Sequence, residues 1–300
     1  MHNKKLKGIF VPAATAFDAN GDVDPVRLVE NYRAWQRTAI RGLMILGTNG
    51  ECKQLTDRES LLVVETAAQA RQPDKTLIVG AGRESLHATL AFIDLLAPHA
   101  ERIDYLSVMT PHFFAKLMTD DALYGYYCAV ADRSPVPVLL YMAPAYANGV
   151  AISADLACRL ADHPNIAGIK DTSANSMEAL MTRLSGREDF TVLAGSVSNL
   201  MTCLRMGGSG GVVSAANYFP DECAHIANLY LAGDAEASAQ AYGELMPLIR
   251  NTGGSKGIAS LKACMHLLGY EAGAPRLPVL PLSQAELDNM RNHLREAGKI

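Results

Sequence analysis

Ile166-Ala167-Gly168-Ile169-Lys170 is a short apolar run that ends on a lysine and continues as Asp171-Thr172-Ser173. Its branched residues, its length and its lack of polar alternation read as a strand buried on both faces, as in a parallel sheet. A lysine there is conspicuous, because an ammonium is rarely buried without a partner. In one reading the side chain pairs with Asp171 or reaches solvent along its apolar stem. In the other it is chemically employed. A desolvated lysine gives up its proton readily, and the neutral amine attacks a carbonyl carbon to form a Schiff base.

Similar runs lie on both sides. Ile9–Ala14, Leu43–Leu46, Leu77–Val79, Tyr105–Met109 and Val138–Tyr141 precede it, and Thr191–Leu193 and Gly211–Ser214 follow. Longer helical patterns with clear start signals lie between them. Asp24-Pro25 reads as an N-cap with proline at the first helical position. Thr56-Asp57-Arg58-Glu59 reads as a capping box. Ser85, Thr119 and Ser153 read as caps, and Pro164 predicts that the helix after Ser153 stops near His163. Eight strand–helix alternations predict an α/β chain closed into a (β/α)₈ TIM barrel. An open doubly wound sheet is the alternative. It is disfavoured because no G-x-G-x-x-G turn follows the first strand; Gly207-Gly208-Ser209-Gly210-Gly211 precedes a strand instead of opening a helix.

After Pro220 the strand signals stop. Helical patterns cover Glu222–Ala232, Ala235–Ile249 and Ile258–Leu268. A last helix starts near Ser283 with Glu286 completing a capping box, after an extended linker at Leu277-Pro278-Val279-Leu280-Pro281. The expected organisation is a barrel core over residues 1–220 and a C-terminal helical extension over 221–300 that includes the closing helix.

Composition narrows the function classes. With 49% hydrophobic and 19% charged residues, the chain can build a large core. A net charge of −4 without a basic stripe argues against nucleic acid, and the only basic cluster is Lys4-Lys5-Lys7 at a terminus. The six cysteines are scattered, with no C-x-x-C pair and no zinc-like His/Cys spacing. They read as free thiols in a reducing compartment, and no metal or other cofactor is expected. Neither a signal-peptide apolar region nor a run of about 18 apolar residues is present, so the expectation is a soluble, cytoplasmic protein without a membrane span.

Catalytic groups of a TIM barrel project from the C-terminal ends of its strands. Those ends carry Gly47-Thr48-Asn49-Gly50-Glu51, Thr110-Pro111-His112-Phe113, Tyr141-Met142-Ala143-Pro144, Lys170-Asp171-Thr172 and Gly195-Ser196. The Thr48-Asn49 pair between glycines offers hydroxyl, amide and backbone donors to an anion, or is a plain Asn-Gly turn. Tyr141 supplies a phenol that could relay protons, or an aromatic core residue with its hydroxyl satisfied. His112 reads as a base or as polar lining. Lys170 alone terminates a buried strand; the other nine lysines read as surface or helix lysines.

Gly47-Thr48-Asn49-Gly50-Glu51, Tyr141-x-x-Pro144 and Gly168-Ile169-Lys170-Asp171 resemble, in order and approximate spacing, the dihydrodipicolinate synthase / N-acetylneuraminate lyase family of class I aldolases. The resemblance covers nearly the whole chain, including the Gly195-Ser196 turn, the Gly210-Gly211-Val212-Val213-Ser214 run and the helical tail. Within the family the chain looks closest to 4-hydroxy-2-oxoglutarate aldolases, an impression to which Asn49 and Gly257-Ile258-Ala259-Ser260-Leu261-Lys262 contribute. The resemblance implies that Lys170 forms a Schiff base with pyruvate or another 2-oxo acid, and that Tyr141 handles protons. It implies that Thr48 and Asn49 hold the carboxylate and help orient the tyrosine. Gly195, Val212, Tyr146 and His112 complete the expected substrate-binding set. An aldehyde is the implied second substrate, and a homotetramer built from dimers is the implied assembly.

Two positions depart from the family's pattern. Many members place a tyrosine two residues after the strand-four proline, reaching into a neighbouring subunit's proton relay; here Phe113 stands there, with Phe114 next. Dihydrodipicolinate synthases place an arginine five residues after the strand-five tyrosine to bind the aldehyde's carboxylate; here Tyr146 stands there, although Arg205 or Arg276 could substitute from elsewhere. The preferred expectation is cleavage or formation of a 4-hydroxy-2-oxo acid. The alternatives are 4-hydroxy-tetrahydrodipicolinate synthase, a Schiff-base dehydratase of a deoxy sugar acid, and a non-catalytic 2-oxo acid-binding paralogue.

Overall fold

A computed structural model of the chain describes residues 6–173 and 176–300. Of the terminal basic cluster, Lys4 and Lys5 lie outside the described residues, and Lys7 is exposed. Eight strands close into a barrel in chain order. They are β1 (Gly8–Pro12), β2 (Gly42–Ile45), β3 (Thr76–Gly80), β4 (Tyr105–Met109), β5 (Val138–Met142), β6 (Ile166–Asp171), β7 (Thr191–Ala194) and β8 (Gly210–Val212). All are buried along nearly their whole length, which is why the sequence shows continuous apolar runs and no alternation.

The helices between and after the strands are α1 (Pro25–Gln36), α2 (Asp57–Ala70), α3 (Leu86–Leu96), α4 (Asp120–Arg133), α5 (Ala154–Ala161), α6 (Met177–Arg183), α7 (Leu200–Arg205), α8 (Pro220–Leu231), α9 (Ala235–Asn251), α10 (Gly257–Leu267) and α11 (Gln284–Glu296). Their starts follow the local signals. The Asp24 carboxylate accepts from the backbone N–H groups of Val26 and Arg27. Thr56 with Glu59 and Ser283 with Glu286 form complete capping boxes. Ser85, Thr119 and Ser153 accept from the N–H groups of Ala88, Ala122 and Leu156.

Most boundaries shift by a residue or two, and three of the shifts have a tertiary or backbone reason. β1 stops at Pro12 instead of Ala14, because the Ala14 N–H is taken by the Asn217 side chain at 3.0 Å. β8 runs over Gly210–Val212, since Ser214 already opens a 3₁₀ turn (Ser214–Asn217). α5 ends at Ala161, and Asp162 and His163 tighten onto the carbonyls of Arg159 and Leu160 before Pro164. The Leu277–Pro281 segment is not fully extended: Val279 N–H donates to the Arg276 carbonyl across a turn.

Chain contacts group the molecule into two compact units. One holds residues 6–8 and 76–212, with β3 to β8; Tyr105, Tyr127 and Phe92 are its largest buried side chains. The other holds residues 9–75 and 213–300, with β1, β2, α1, α2 and α8 to α11. Its core includes Trp35 stacked on Tyr270, ring centroids 5.6 Å apart, and the Trp35 Nε1–H donates to the Asn217 carbonyl at 3.0 Å. Among the described residues no helix is long and apolar enough to cross a membrane.

Candidate active site

Lys170 is the next-to-last residue of β6, at its C-terminal end, and is only 3% exposed. Its register partners are Tyr141 on β5 and Leu193 on β7. Residues in register on parallel strands face the same way, so Lys170 and Tyr141 emerge side by side. The Lys170 Nζ lies 4.0 Å from the centroid of the Tyr141 ring, itself 4% exposed. This is cation–π range, worth about 2 kcal/mol in a desolvated site.

Asp171 is the following residue, so it projects to the opposite face. Its carboxylate accepts from the Ser173 N–H at 2.7 Å, the Ser173 hydroxyl at 2.5 Å and the Ser176 hydroxyl at 3.2 Å. Burial pushes the Asp171 carboxyl upward, and these hydrogen bonds oppose it. The acid next to the lysine is thus occupied by serines beyond the strand.

Two glycines let β6 and β7 approach closely. A Cβ on Gly168 would fall 2.2 Å from the Thr191 carbonyl oxygen. One on Gly195 would fall 2.3 Å from Thr172 Cγ2 and 2.8 Å from the Asp171 carbonyl oxygen, which also accepts from the Gly195 N–H at 2.6 Å. Gly195, expected to line the substrate site, is thus also packed closely against the end of Lys170's strand. Val212 is the last residue of β8 and is fully buried.

The loops after β4 and β5 carry the two departures. His112 is held by Glu84, which follows β3: Nδ1 lies 3.2 Å from Glu84 Oε1. The backbone N–H groups of His112 and Phe113 donate to Glu84 Oε2 at 2.8 and 2.9 Å. Glu84 lies outside the strand-end motifs singled out in the sequence, and an acid shortly after the third strand is the signal that points to it. Phe113 and Phe114 are both exposed and pack edge to face, 5.0 Å apart. Tyr146 ends a 3₁₀ turn (Pro144–Tyr146) and is 58% exposed.

The Thr48-Asn49 element lies in the second compact unit. Residues Thr48–Gly50 form a single 3₁₀ turn after β2, closed by Gly50 N–H to the Gly47 carbonyl and Glu51 N–H to the Thr48 carbonyl, both at 3.0 Å. Asn49 Nδ2 donates to the Ser214 hydroxyl at 2.8 Å, and the Thr15 hydroxyl donates to the Gly50 carbonyl at 2.7 Å. Glu51 then adopts the left-handed conformation, φ +54°, and its side chain is buried.

Sequence reading treated Lys262 as a surface or helix lysine; the structure buries it. Lys262 on α10 is 2% exposed, and its Nζ is 2.6 Å from Glu51 Oε1. The ammonium also donates to the Ala274 carbonyl at 3.2 Å and lies 4.1 Å from the Phe17 ring centroid. Desolvation lowers its pKa to about 8, against the attraction of Glu51. The signal was weak: both ion-pair members sit in ordinary motifs, far apart in the chain. Arg276 is committed nearby. Its guanidinium pairs with Glu59 and donates to the Gln54 and Gly21 carbonyls, each at 2.8 Å. Arg205, the other candidate, is exposed at the end of α7.

The structure thus brings Lys170 and Tyr141 together, ties His112 to Glu84 and Asn49 to Ser214, and leaves Tyr146 exposed. A buried amine beside a phenol can attack a carbonyl carbon and exchange protons with the adduct.

Comparison with known proteins extends this picture. The sequence model of the dihydrodipicolinate synthetase family matches residues 5–297. A 4-hydroxy-tetrahydrodipicolinate synthase of Acidiphilium cryptum is 31% identical, covering 98% of this chain and 99% of the relative. A putative mitochondrial 4-hydroxy-2-oxoglutarate aldolase of Coccidioides immitis is 29% identical over 98% of this chain and 96% of the relative. Among solved structures, the dihydrodipicolinate synthase of Acinetobacter baumannii complexed with pyruvate superposes with a TM-score of 0.90 at 25% identity, covering 98% of this chain and 99% of that one.

Proposed function

The chain belongs to the dihydrodipicolinate synthetase family, and on that premise we propose that it is a class I, metal-independent aldolase joining or separating pyruvate and an aldehyde. The carrying observation is Lys170, buried at the C-terminal end of β6 with its Nζ 4.0 Å over the Tyr141 ring. In the cleavage direction, Lys170 Nζ attacks C2 of a 4-hydroxy-2-oxo acid. The carbinolamine loses water to a protonated imine. A base takes the 4-hydroxyl proton, the C3–C4 bond breaks, and the aldehyde leaves. The electron pair of that bond flows into the imine, leaving an enamine. Protonation at C3 and hydrolysis release pyruvate and regenerate the amine.

Tyr141 carries protons in the carbinolamine and C–C steps. Thr48 and Asn49 hold the substrate carboxylate, which fixes the reacting carbon by hydrogen bonding. Gly195, Val212, Tyr146 and His112 line the substrate. The exposed Phe113, Phe114 and Leu117 fit a chain that works as a homo-oligomer, proposed as a cytoplasmic tetramer on the family likeness.

A second reading, 4-hydroxy-tetrahydrodipicolinate synthase, is favoured by the name of the 31% identical relative. It is disfavoured by Tyr146 in the arginine position and by the commitment of Arg276 to Glu59. Borohydride reduction in the presence of pyruvate, followed by peptide mass spectrometry, tests the nucleophile. The adduct is expected on Lys170 alone, and Lys170→Ala is expected to lose adduct and turnover together. An adduct on Lys53 or Lys262 refutes the assignment.

A further inference from the structure

We propose that Glu51 and Lys262 are positioning residues: their buried ion pair fixes the Thr48–Asn49 turn in the geometry that receives the 2-oxo acid carboxylate. This rests on the function proposed above and adds to it a pair that touches no substrate.

Glu51 directly follows the turn, and its amide N–H closes that turn on the Thr48 carbonyl. Its φ of +54° is uncommon for a residue with a Cβ, and such conformations persist only where the surroundings hold them. Both carboxylate oxygens are held. Oε1 meets Lys262 Nζ at 2.6 Å, and Oε2 accepts the Arg276 backbone N–H at 2.9 Å. Lys262 is anchored in turn by the Ala274 carbonyl and the Phe17 ring face. The carboxylate is thus tied to α10 and to the segment that follows it.

Stability alone is a poor explanation for such a pair, because the desolvation of two buried charges offsets much of their attraction. Register is a better one. A side chain fixed at both oxygens restricts the backbone of the turn it closes, which favours one placement of Thr48 and Asn49 before substrate arrives. Removing Lys262 leaves a buried carboxylate without its counter-charge. Glu51 then turns toward water, and the turn attached to it moves.

The test compares Lys262→Met, Glu51→Gln and the double variant with the wild-type chain. Thermal unfolding reports folding. Borohydride trapping at graded pyruvate reports affinity, and steady-state pyruvate release reports kcat and KM. Lys262→Met is expected to raise half-saturating pyruvate and KM by roughly tenfold or more, with a much smaller change in kcat, the pattern of lost uniform binding. Glu51→Gln keeps an acceptor oxygen and is expected to change KM less. The double variant removes the unpaired charge and is expected to recover part of the loss.

Folded variants with wild-type trapping curves overturn the proposal, whatever their melting temperatures. If every variant fails to fold, the pair is a folding determinant and the positioning role is withdrawn. If the wild-type chain itself forms no Lys170 adduct, the Schiff-base reading falls first, a result separate from any change among the variants.

Discussion

Replacing Tyr141 by Phe isolates one hydroxyl from the ring that carries it. The ring lies 4.0 Å beneath the Lys170 Nζ, and phenylalanine preserves that face and its volume. The side chain is 4% exposed, so the hydroxyl leaves a buried setting and its removal costs about 1–3 kcal/mol of stability. The chemical cost is larger. A positioned acid or base contributes roughly 10²–10⁴ in rate, or about 2.7–5.4 kcal/mol at 1.36 kcal/mol per decade. Turnover is followed as pyruvate release from a 4-hydroxy-2-oxo acid, with lactate dehydrogenase as the coupling enzyme. Pyruvate affinity is followed separately by borohydride trapping. The expected result is a turnover loss of roughly 10²–10⁴ with a far smaller change in half-saturating pyruvate. Tyr141→Leu removes the ring as well and should weaken trapping further. Near-normal turnover in Tyr141→Phe refutes the reasoning, and His112, oriented by Glu84, becomes the first group to examine.

Gly168→Ala should destabilise the chain by about 3 kcal/mol or more, because the new Cβ meets the Thr191 carbonyl at 2.2 Å and backbone on both sides resists movement; a melting temperature within 1–2 °C of wild type would contradict it. Glu59 is held at about 2 by the Arg276 hydrogen bond, with Thr56 assisting against burial. Its folded pKa is below the unfolded value near 4.5, so the ionised form stabilises the fold above about pH 4.5, and that contribution is lost as pH falls toward 2. Arg276→Leu should therefore flatten the pH dependence of thermal unfolding in that window; an unchanged slope removes the pair from the account. Condensation of pyruvate with aspartate semialdehyde should be weak beside cleavage of a 4-hydroxy-2-oxo acid. The missing arginine at Tyr146 forgoes a charge-assisted hydrogen bond of about 1.5–3 kcal/mol, one to two decades in affinity. Efficient synthase turnover without aldol cleavage overturns this preference.

Much of the architecture was legible because its causes are local. A buried parallel strand must be apolar on both faces, so the eight runs stood out without any knowledge of their partners. Capping boxes close within four residues, and those at Thr56 and Ser283 formed as written. Lys170 was legible for the same reason, as a charge at the end of an apolar strand. The candidate site outside Lys170 and Tyr141 was less so. Asn217 ends β1 by taking the N–H of Ala14, 203 residues away, and no window of sequence contains both. Glu84 holds His112 through a loop that follows a different strand.

Lys262 marks the limit most clearly. On α10 it looks like any helix lysine, and Glu51 looks like the polar end of a glycine-flanked turn. Whether such groups face water or each other depends on what packs over them. By itself the sequence determined where the strands lie and where the capped helices begin, that the strands are buried, and that a lysine stands near the end of the sixth. Only the tertiary structure decided that Lys262 meets Glu51 away from water and that Arg276 is held by Glu59. Desolvation and ion pairing depend on distances between remote segments, and those distances come into being only when the chain closes.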